Sequence, residues 1–226
     1  PRKYVDTLIQ QCSDPYLIIV KQGEQSKSFA TYEKCLNEML DNNFSRKDLV
    51  IALGGGVVGD LSGFVSATYM RGIDFVNIPT TTLSQIDSSI GGKVAINSND
   101  VKICVGAFWQ PKLVVIDTNV LDTLESNIYN EGLAEAIKAG LIGDKELFEM
   151  FENEDVKENI EKIIYKSLMV KKYVVEKDEK ELDLRRILNF GHTIGHAYER
   201  YYELKGYCHG NCVAMGMIAI LDKEEI

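Results

Sequence analysis

The sequence has no apolar run of the roughly 20 residues that a membrane-spanning helix needs. Its opening residues lack the basic-then-apolar pattern of a signal peptide. Basic charge is in short supply: 25 Lys and Arg against 34 Asp and Glu leave a net charge of −9. A nucleic-acid surface neutralises phosphates with clustered cations, so this net-acidic chain is a poor candidate for one. Cysteine pairing signals are missing as well. Cys12, Cys35, Cys104, Cys208 and Cys212 are odd in number and contain no Cys-x-x-Cys, which reads as free thiols in a reducing cytoplasm. Repeats, low-complexity tracts and long linkers are absent. With 45% hydrophobic and 26% charged residues, the 226-residue chain has globular proportions rather than those of a disordered or collagen-like one. Its length suits one large or two small domains.

The first half alternates between strand and helix patterns. Helices are expected at Lys3–Gln11, Thr31–Leu40 and Val57–Ala67, and short apolar strands at Tyr16–Val20, Leu49–Leu53, Phe75–Ile78 and Leu113–Ile116. That order predicts an α/β domain with a mostly parallel sheet. From about Asn127 onward helical periodicity takes over. Leu133, Ile137 and Leu141 form one stripe, and Ile160, Ile164, Leu168 and Val175 another; Gly191–Arg200 and Cys212–Leu221 read as further helices. The expected domains are therefore 1–125, α/β, and 126–226, helical. The chain opens on Pro rather than Met, and Leu221–Ile226 ends without a helix stop signal. We expect a fragment on both counts.

Three segments carry chemistry. Gly54–Asp60 follows a strand, opens a helix and satisfies G-x-G-x-x-G, a turn that lets backbone approach a pyrophosphate at a helix N-terminus. An acid at the end of the next strand, which would hold the ribose of an ordinary dinucleotide fold, is missing, because Asp74 precedes its strand. Pro79–Lys93 is rich in hydroxyls, contains Asp87 and ends in Gly-Gly-Lys; it suits phosphate and ribose contacts, or else a capped loop. The third segment holds the only histidines, His192, His196 and His209. Arg185, Asn189, His192 and His196 are spaced to share one helix face. Glu135 and Lys138, at i and i+3, could add a carboxylate ligand and an ammonium. Spacing alone selects His192 and His196 as the metal pair. Lys171 falls on an apolar stripe, where it must either snorkel or pair.

Gly54–Gly72, Pro79–Lys93, Gly106–Pro111, Gly132–Glu135 with Lys138, Asp178–Glu181 and Leu188–His196 together resemble the 3-dehydroquinate synthase family, in order and over nearly the whole chain. The resemblance implies an α/β NAD-binding domain followed by a helical metal-binding domain, with NAD and a divalent metal, Zn or alternatively Co, as cofactors. It implies a sugar-phosphate substrate, 3-deoxy-D-arabino-heptulosonate 7-phosphate, converted to 3-dehydroquinate and phosphate on the shikimate route. It moves the metal to Glu135, His192 and His209 and makes His196 a proton-transfer group that also contacts phosphate. Lys138, Asp87 and Glu181 would act on hydroxyls near the metal, and Lys171, Arg185 and Asn189 would hold the substrate carboxylate. Lys93 and Arg71 would bind phosphate, with Arg71 reaching over from the second subunit of a homodimer. Glu24, Lys27, Gly55, Gly56, Asp60, Thr80, Thr81, Leu83, Asp87, Ser88, Lys102, Thr123 and Leu124 match cofactor-side positions.

The chain departs from the family pattern at Ile103, where the family has Asn, and at Ile128, where it has Glu. The family's opening strand and its C-terminal phosphate-binding Lys have no counterpart in the sequence. Two other enzyme readings share this architecture: another sugar-phosphate cyclase, such as a 2-deoxy-scyllo-inosose synthase, and a metal-dependent polyol dehydrogenase. A non-catalytic NAD- or partner-binding protein is the alternative of a different class.

Overall fold

The computed structural model describes residues 2–99, 101–202 and 207–224. Glu225 and Ile226, at the helix end flagged by the sequence, lie outside the described residues. The chain divides into two compact units: Pro1–Thr80 with Ser88–Val120, and Thr81–Asp87 with Leu121–Ile226. The division falls after Val120 rather than Glu125, and Thr81–Asp87 groups with the second unit.

The first unit contains α1 (Arg2–Ile9), α2 (Phe29–Asp41), β1 (Leu49–Gly54), α3 (Gly56–Thr68), β2 (Asp74–Pro79), β3 (Lys93–Ser98), β4 (Val101–Phe108) and β5 (Leu113–Val114). β1, β2 and β5 form a parallel sheet in that order, with Leu49 beside Asp74 and Val76 beside Leu113. β3 and β4 form a separate antiparallel hairpin, which the alternating pattern did not disclose. α2 begins where the Ser28 hydroxyl accepts the Thr31 N–H, an N-cap. α3 brings Leu61, Phe64 and Val65 onto Phe75 of β2 and onto Val94 and Ile96 of β3, with Cys35 and Met39 of α2 completing the core. Burying each large side chain stabilises the unit by about 1.5–3 kcal/mol.

Tyr16–Val20 is not a strand. Its alternation is real, since Ile18 and Val20 pack on the core while Leu17 and Ile19 are exposed. A strand also needs a ladder partner, and no described strand lies alongside this segment.

The second unit contains α4 (Ser126–Gly143), α5 (Lys145–Asn153), α6 (Ile160–Lys177), α7 (His192–Tyr201) and α8 (His209–Glu224). The face of α4 expected inside is not the buried one. Gly132, Ala134, Ala136, Ala139 and Gly140 are buried, whereas Leu133 and Ile137 are only partly covered and Leu141 is exposed. Small residues let the backbone itself pack closely: a Cβ on Gly132 would lie 2.2 Å from the Leu83 nitrogen. That close approach seats Thr81–Asp87 against α4. On α6 the buried line runs through Ile163, Ile164, Ser167, Lys171 and Val174, with Ile160, Leu168 and Val175 on its flanks. Among the described residues, no helix is long and apolar enough to cross a membrane.

Candidate functional site

In the first unit, β1 runs directly into the glycine turn, and Gly55 is the N-cap of α3 without offering a side-chain hydrogen bond. The first-turn N–H groups of a helix have no intrahelical acceptor, so an uncapped N-terminus suits an anionic group. Beside it, the Lys27 ammonium lies 3.0 Å from both Asp60 Oδ2 and Glu24 Oε1. The Asn97 amide donates to the same Glu24 oxygen at 2.9 Å. Burial opposes the charge on Lys27, but Asp60 and Glu24 outweigh it and raise its pKa. Three of the expected cofactor-side residues thus form one network. Asp60, Ser88 and Lys93 line a small cleft with Asn77 and Trp109. Thr80 extends the turn by donating its N–H to the Gly54 carbonyl. Lys102 is exposed on β4.

Arg71 sits on a strained turn. α3 stops at Thr68, and Met70 and Arg71 have φ of 48° and 68°, left-handed values costing on the order of 1–3 kcal/mol each for non-glycine residues. Surrounding bonds hold the turn in place. The buried Tyr69 donates its hydroxyl to Phe44 O at 2.8 Å, and Arg46 Nε donates to Met70 O at 3.0 Å. The outcome is an exposed Arg71 at a defined position.

In the second unit, Glu135 is only 2% exposed on α4. Its Oε1 lies 3.5 Å from His192 Nε2 and 3.8 Å from His209 Nε2. Ligand atoms of these three residues all lie within 4.8 Å of one another. Lys138 is ion-paired with Oε2, and Oε1 accepts no hydrogen bond. A buried carboxylate oxygen, Oε1, left without a donor beside two imidazole nitrogens fits a cation. His192 Nδ1 lies 3.2 Å from the Phe190 carbonyl, so a proton there donates to that oxygen and leaves Nε2 free to accept. Burial, together with Lys138, lowers the His192 pKa and favours the neutral ring a metal requires. His196, the other member of the pair selected by spacing, is exposed, its ring centre 5.5 Å from that of His192.

The single helix face expected through Arg185, Asn189, His192 and His196 is broken. Leu184–Asn189 is a 3-10 segment, and α7 starts only after Gly191, whose φ of 78° interrupts the helix. Arg185 is buried and donates to the Glu179 carbonyl. Asn189 donates to Glu181 Oε1 at 2.8 Å, with Glu181 itself at a φ of 59°. Lys171, on the buried line of α6, donates to Asp87 O at 2.7 Å and to Oδ1 at 2.9 Å. Burial opposes the Asp87 charge, but Lys171 and Lys138 outweigh it and hold the carboxyl well below the usual range. The Thr81 hydroxyl pairs with that of Ser84 at 2.8 Å, ordering the stretch that contains Leu83. Thr123 is exposed and Leu124 half-buried beyond the 3-10 segment Thr118–Thr123.

Residues 17–131 match the family model described as 3-dehydroquinate synthase N-terminal, and residues 132–225 match 3-dehydroquinate synthase C-terminal. The chain belongs to the 3-dehydroquinate synthase family. A 3-dehydroquinate synthase of Clostridium beijerinckii is 51% identical over 217 residues, 94% of this chain and 62% of that protein. One of Clostridium perfringens is 54% identical over 205 residues, 89% of this chain and 59% of that protein. The chain thus spans about three fifths of the length of these relatives. A crystal structure of a 2-deoxy-scyllo-inosose synthase with carbaglucose-6-phosphate, NAD+ and Co2+ superposes with a TM-score of 0.89 at 28% identity, covering 99% of this chain and 65% of that one. A 2-epi-5-epi-valiolone synthase of Streptomyces hygroscopicus with NAD+ and Zn2+ gives 0.88 at 27% identity, covering 96% and 63%. Glycerol dehydrogenase of Schizosaccharomyces pombe, at 15% identity and a TM-score of 0.64, shares the fold.

Two acids of this 3-dehydroquinate synthase family chain had no role assigned from the sequence. Asp178 accepts the backbone N–H groups of Leu182, Asp183 and Arg185; those bonds, Arg185's first, lower its pKa and fold the loop that presents Glu181 and Arg185. Glu199 lies 2.6 Å from His209 Nδ1. Its spacing, three residues after His196 and seven after His192, was the available signal.

Proposed function

We propose that the protein is a 3-dehydroquinate synthase that converts 3-deoxy-D-arabino-heptulosonate 7-phosphate to 3-dehydroquinate and phosphate. Family membership supports this reading. The observation that carries it is the buried Glu135 carboxylate, ion-paired with Lys138 through Oε2 and facing two imidazole nitrogens through Oε1. Glu135, His192 and His209 would hold Zn or Co, the ions named for the two cyclase structures. The Gly55–Gly56 turn with Glu24, Lys27, Asp60, Thr80, Thr81, Leu83, Asp87, Ser88, Lys102, Thr123 and Leu124 would take NAD. When bound, NAD supplies a hydride acceptor that is regenerated within each turnover, and the metal supplies Lewis acidity to substrate hydroxyls.

The chain's own groups account for positioning and proton movement. Arg185, with Lys171 and Asn189, would hold the substrate carboxylate; a guanidinium offers it a planar two-donor fork. Lys138, Asp87 and Glu181 would orient the hydroxyls next to the metal, and Lys93 and Arg71 would bind the phosphate. His196, exposed one turn along α7 from His192, would take up and return a proton through its imidazole. The reading includes a homodimer in which Arg71 serves the partner's phosphate site, and the cytoplasm, which suits five cysteines in the thiol form.

The test supplies the protein with the heptulosonate phosphate, NAD and Zn. Phosphate and 3-dehydroquinate should appear with no net NADH. Accumulating NADH would instead indicate a dehydrogenase, and turnover only of the sugar phosphate mimicked by carbaglucose-6-phosphate would indicate a different cyclase. Mixing Arg71→Ala with His192→Ala subunits should restore activity by creating one intact site per mixed dimer. No recovery in proven heterodimers would place Arg71 in its own chain's site.

A further inference from the structure

We infer that Glu199 is a positioning residue for the metal centre: its carboxylate holds His209 in the tautomer and orientation in which Nε2 is the ligand atom. The inference rests on the metal reading above and goes beyond it to a residue outside the three ligands.

His209 is gripped on the side of the ring away from Glu135. Glu199 Oε1 lies 2.6 Å from Nδ1, while Nε2 lies 3.8 Å from Glu135 Oε1. An ionised carboxylate can only accept, so this short contact requires a proton on Nδ1; in the neutral ring that a metal takes, the lone pair is then on Nε2, facing Glu135. Glu199 is 8% exposed, so water competes little for it and the bond is charge-assisted in a poorly screened place. The backbone at His209 is fixed as well. Its N–H donates to Glu131 Oε1 at 3.1 Å, and a Cβ on the next residue, Gly210, would lie 2.1 Å from the Glu131 carbonyl. Helix α8 therefore approaches α4 closely at this level, and Glu199 removes the remaining freedom, rotation of the ring.

The two histidines are supported differently. His192 Nδ1 faces a neutral carbonyl, that of Phe190, whereas His209 Nδ1 faces a carboxylate. A carboxylate behind an imidazole raises the donor strength of the opposite nitrogen. His209 is thus the stronger of the two nitrogen donors, and Glu199 is the cause.

His196, Glu199 and His209 also form a compact group of potential ligands, which raises the alternative of a second ion. The 2.6 Å separation argues against it. Two tetrahedral ligand atoms at zinc distances stand roughly 3.3 Å apart, so an ion there would have to spread the pair and displace its shared proton.

The test uses the full chain and the variants Glu199→Gln, Glu199→Ala and His196→Ala. Zn and Co affinities are measured by competition with a chelator, and the Co complex by its visible absorption. The His209 tautomer is read by nitrogen NMR in the metal-free protein, which requires no metal to bind. Both Glu199 variants should still bind one ion per chain, about 10–100-fold more weakly, with an altered Co spectrum. Glu199→Gln should lose less than Glu199→Ala, because its amide oxygen still accepts from Nδ1. His196→Ala should leave affinity unchanged. In the metal-free protein, at a pH where the His209 ring is neutral, its proton should sit on Nδ1, and Glu199→Ala should release it to Nε2. Unchanged affinity in both Glu199 variants, or an Nε2–H tautomer in the parent chain, overturns the inference. Loss of a second bound ion in His196→Ala and Glu199→Ala alike makes Glu199 a ligand instead. A parent chain with the Nδ1–H tautomer but no ion bound through Glu135 overturns the metal reading and, with it, the metal role given to Glu199.

Discussion

Lys171→Met isolates the pairing that ties α6 to the Thr81–Asp87 stretch. Methionine keeps most of the stem, so packing along the buried line through Ile164 and Ser167 survives and only the ammonium is lost. With it go two hydrogen bonds, 2.7 Å to Asp87 O and 2.9 Å to Asp87 Oδ1. Hydrogen bonds to a charged group are worth about 1.5–3 kcal/mol each. The Asp87 side chain is 31% exposed and the Lys171 side chain 10%, so water recovers part of the loss on the carboxylate side. We therefore expect a net cost of about 2–4 kcal/mol. In urea titrations followed by helical circular dichroism, a slope of about 2 kcal/mol per molar places the midpoint about 1–2 M lower. The double variant Lys171→Met with Asp87→Asn should show a coupling of about 1.5–3 kcal/mol. The gap has a definite pH dependence. Asp87 has a lowered carboxyl pKa in the folded chain, because burial, which opposes its charge, is outweighed by Lys171 and Lys138. Its contribution is therefore fully present above the unfolded value of about 3.9 and is lost as pH falls through the lower folded value. Parent and variant midpoints should converge in that acid window. Equal midpoints at pH 7, or a gap that widens in acid, would refute the reasoning.

Glu135→Gln and His192→Ala should abolish tight Zn binding while His196→Ala retains it; equilibrium dialysis that shows loss with His196 and retention without Glu135 reverses the ligand assignment. Gly132→Ala forces a Cβ to within 2.2 Å of the Leu83 nitrogen and 2.5 Å of the Thr82 carbonyl carbon, so it should cost about 1–3 kcal/mol or more; an unchanged melting temperature would mean that α4 and this stretch can separate freely. Ile103 is 58% exposed at a φ of 49°, strain of about 1–2 kcal/mol that Asn largely avoids, so Ile103→Asn should raise thermal stability and, on the family reading, phosphate-substrate affinity; lower stability refutes the backbone argument and unchanged affinity the functional one. Asp144 caps α5 through Leu147 N at 3.0 Å and pairs with Lys166 at 3.0 Å. Burial opposes its charge, but these partners lower its pKa, so Asp144→Ala should cost about 0.5–2 kcal/mol at neutral pH, an effect lost as pH falls below about 3.9 through the folded value.

Local and contiguous features were legible without coordinates. β1, the glycine turn and α3 follow one another in sequence, so a strand pattern, three glycines and a helical pattern suffice to place an uncapped helix N-terminus. The crowding of all three histidines into one short stretch marked a candidate site, and Lys171 on an apolar line posed the choice between snorkelling and pairing. What pairs with what was decided by tertiary structure. Asp87 and Lys171 stand 84 residues apart, and no local periodicity can report which buried cation meets which distant carbonyl. The i, i+4 spacing of His192 and His196 singles out that pair, but a helix face says nothing of the ring that α8 brings from outside; His209 approaches Glu135, and His196 is exposed. Periodicity also misjudged α4. Hydrophobicity ranks Leu133 and Ile137 above Gly132 and Ala136, but the face that packs is the one whose small residues allow backbones to approach. Tyr16–Val20 alternates as a strand does, yet alternation requires only one apolar surface to lie against, whereas a strand requires a hydrogen-bonding neighbour. Sequence determined which groups are available and how they are phased locally; the tertiary fold determined their partners, because burial and pairing depend on what comes from elsewhere in the chain.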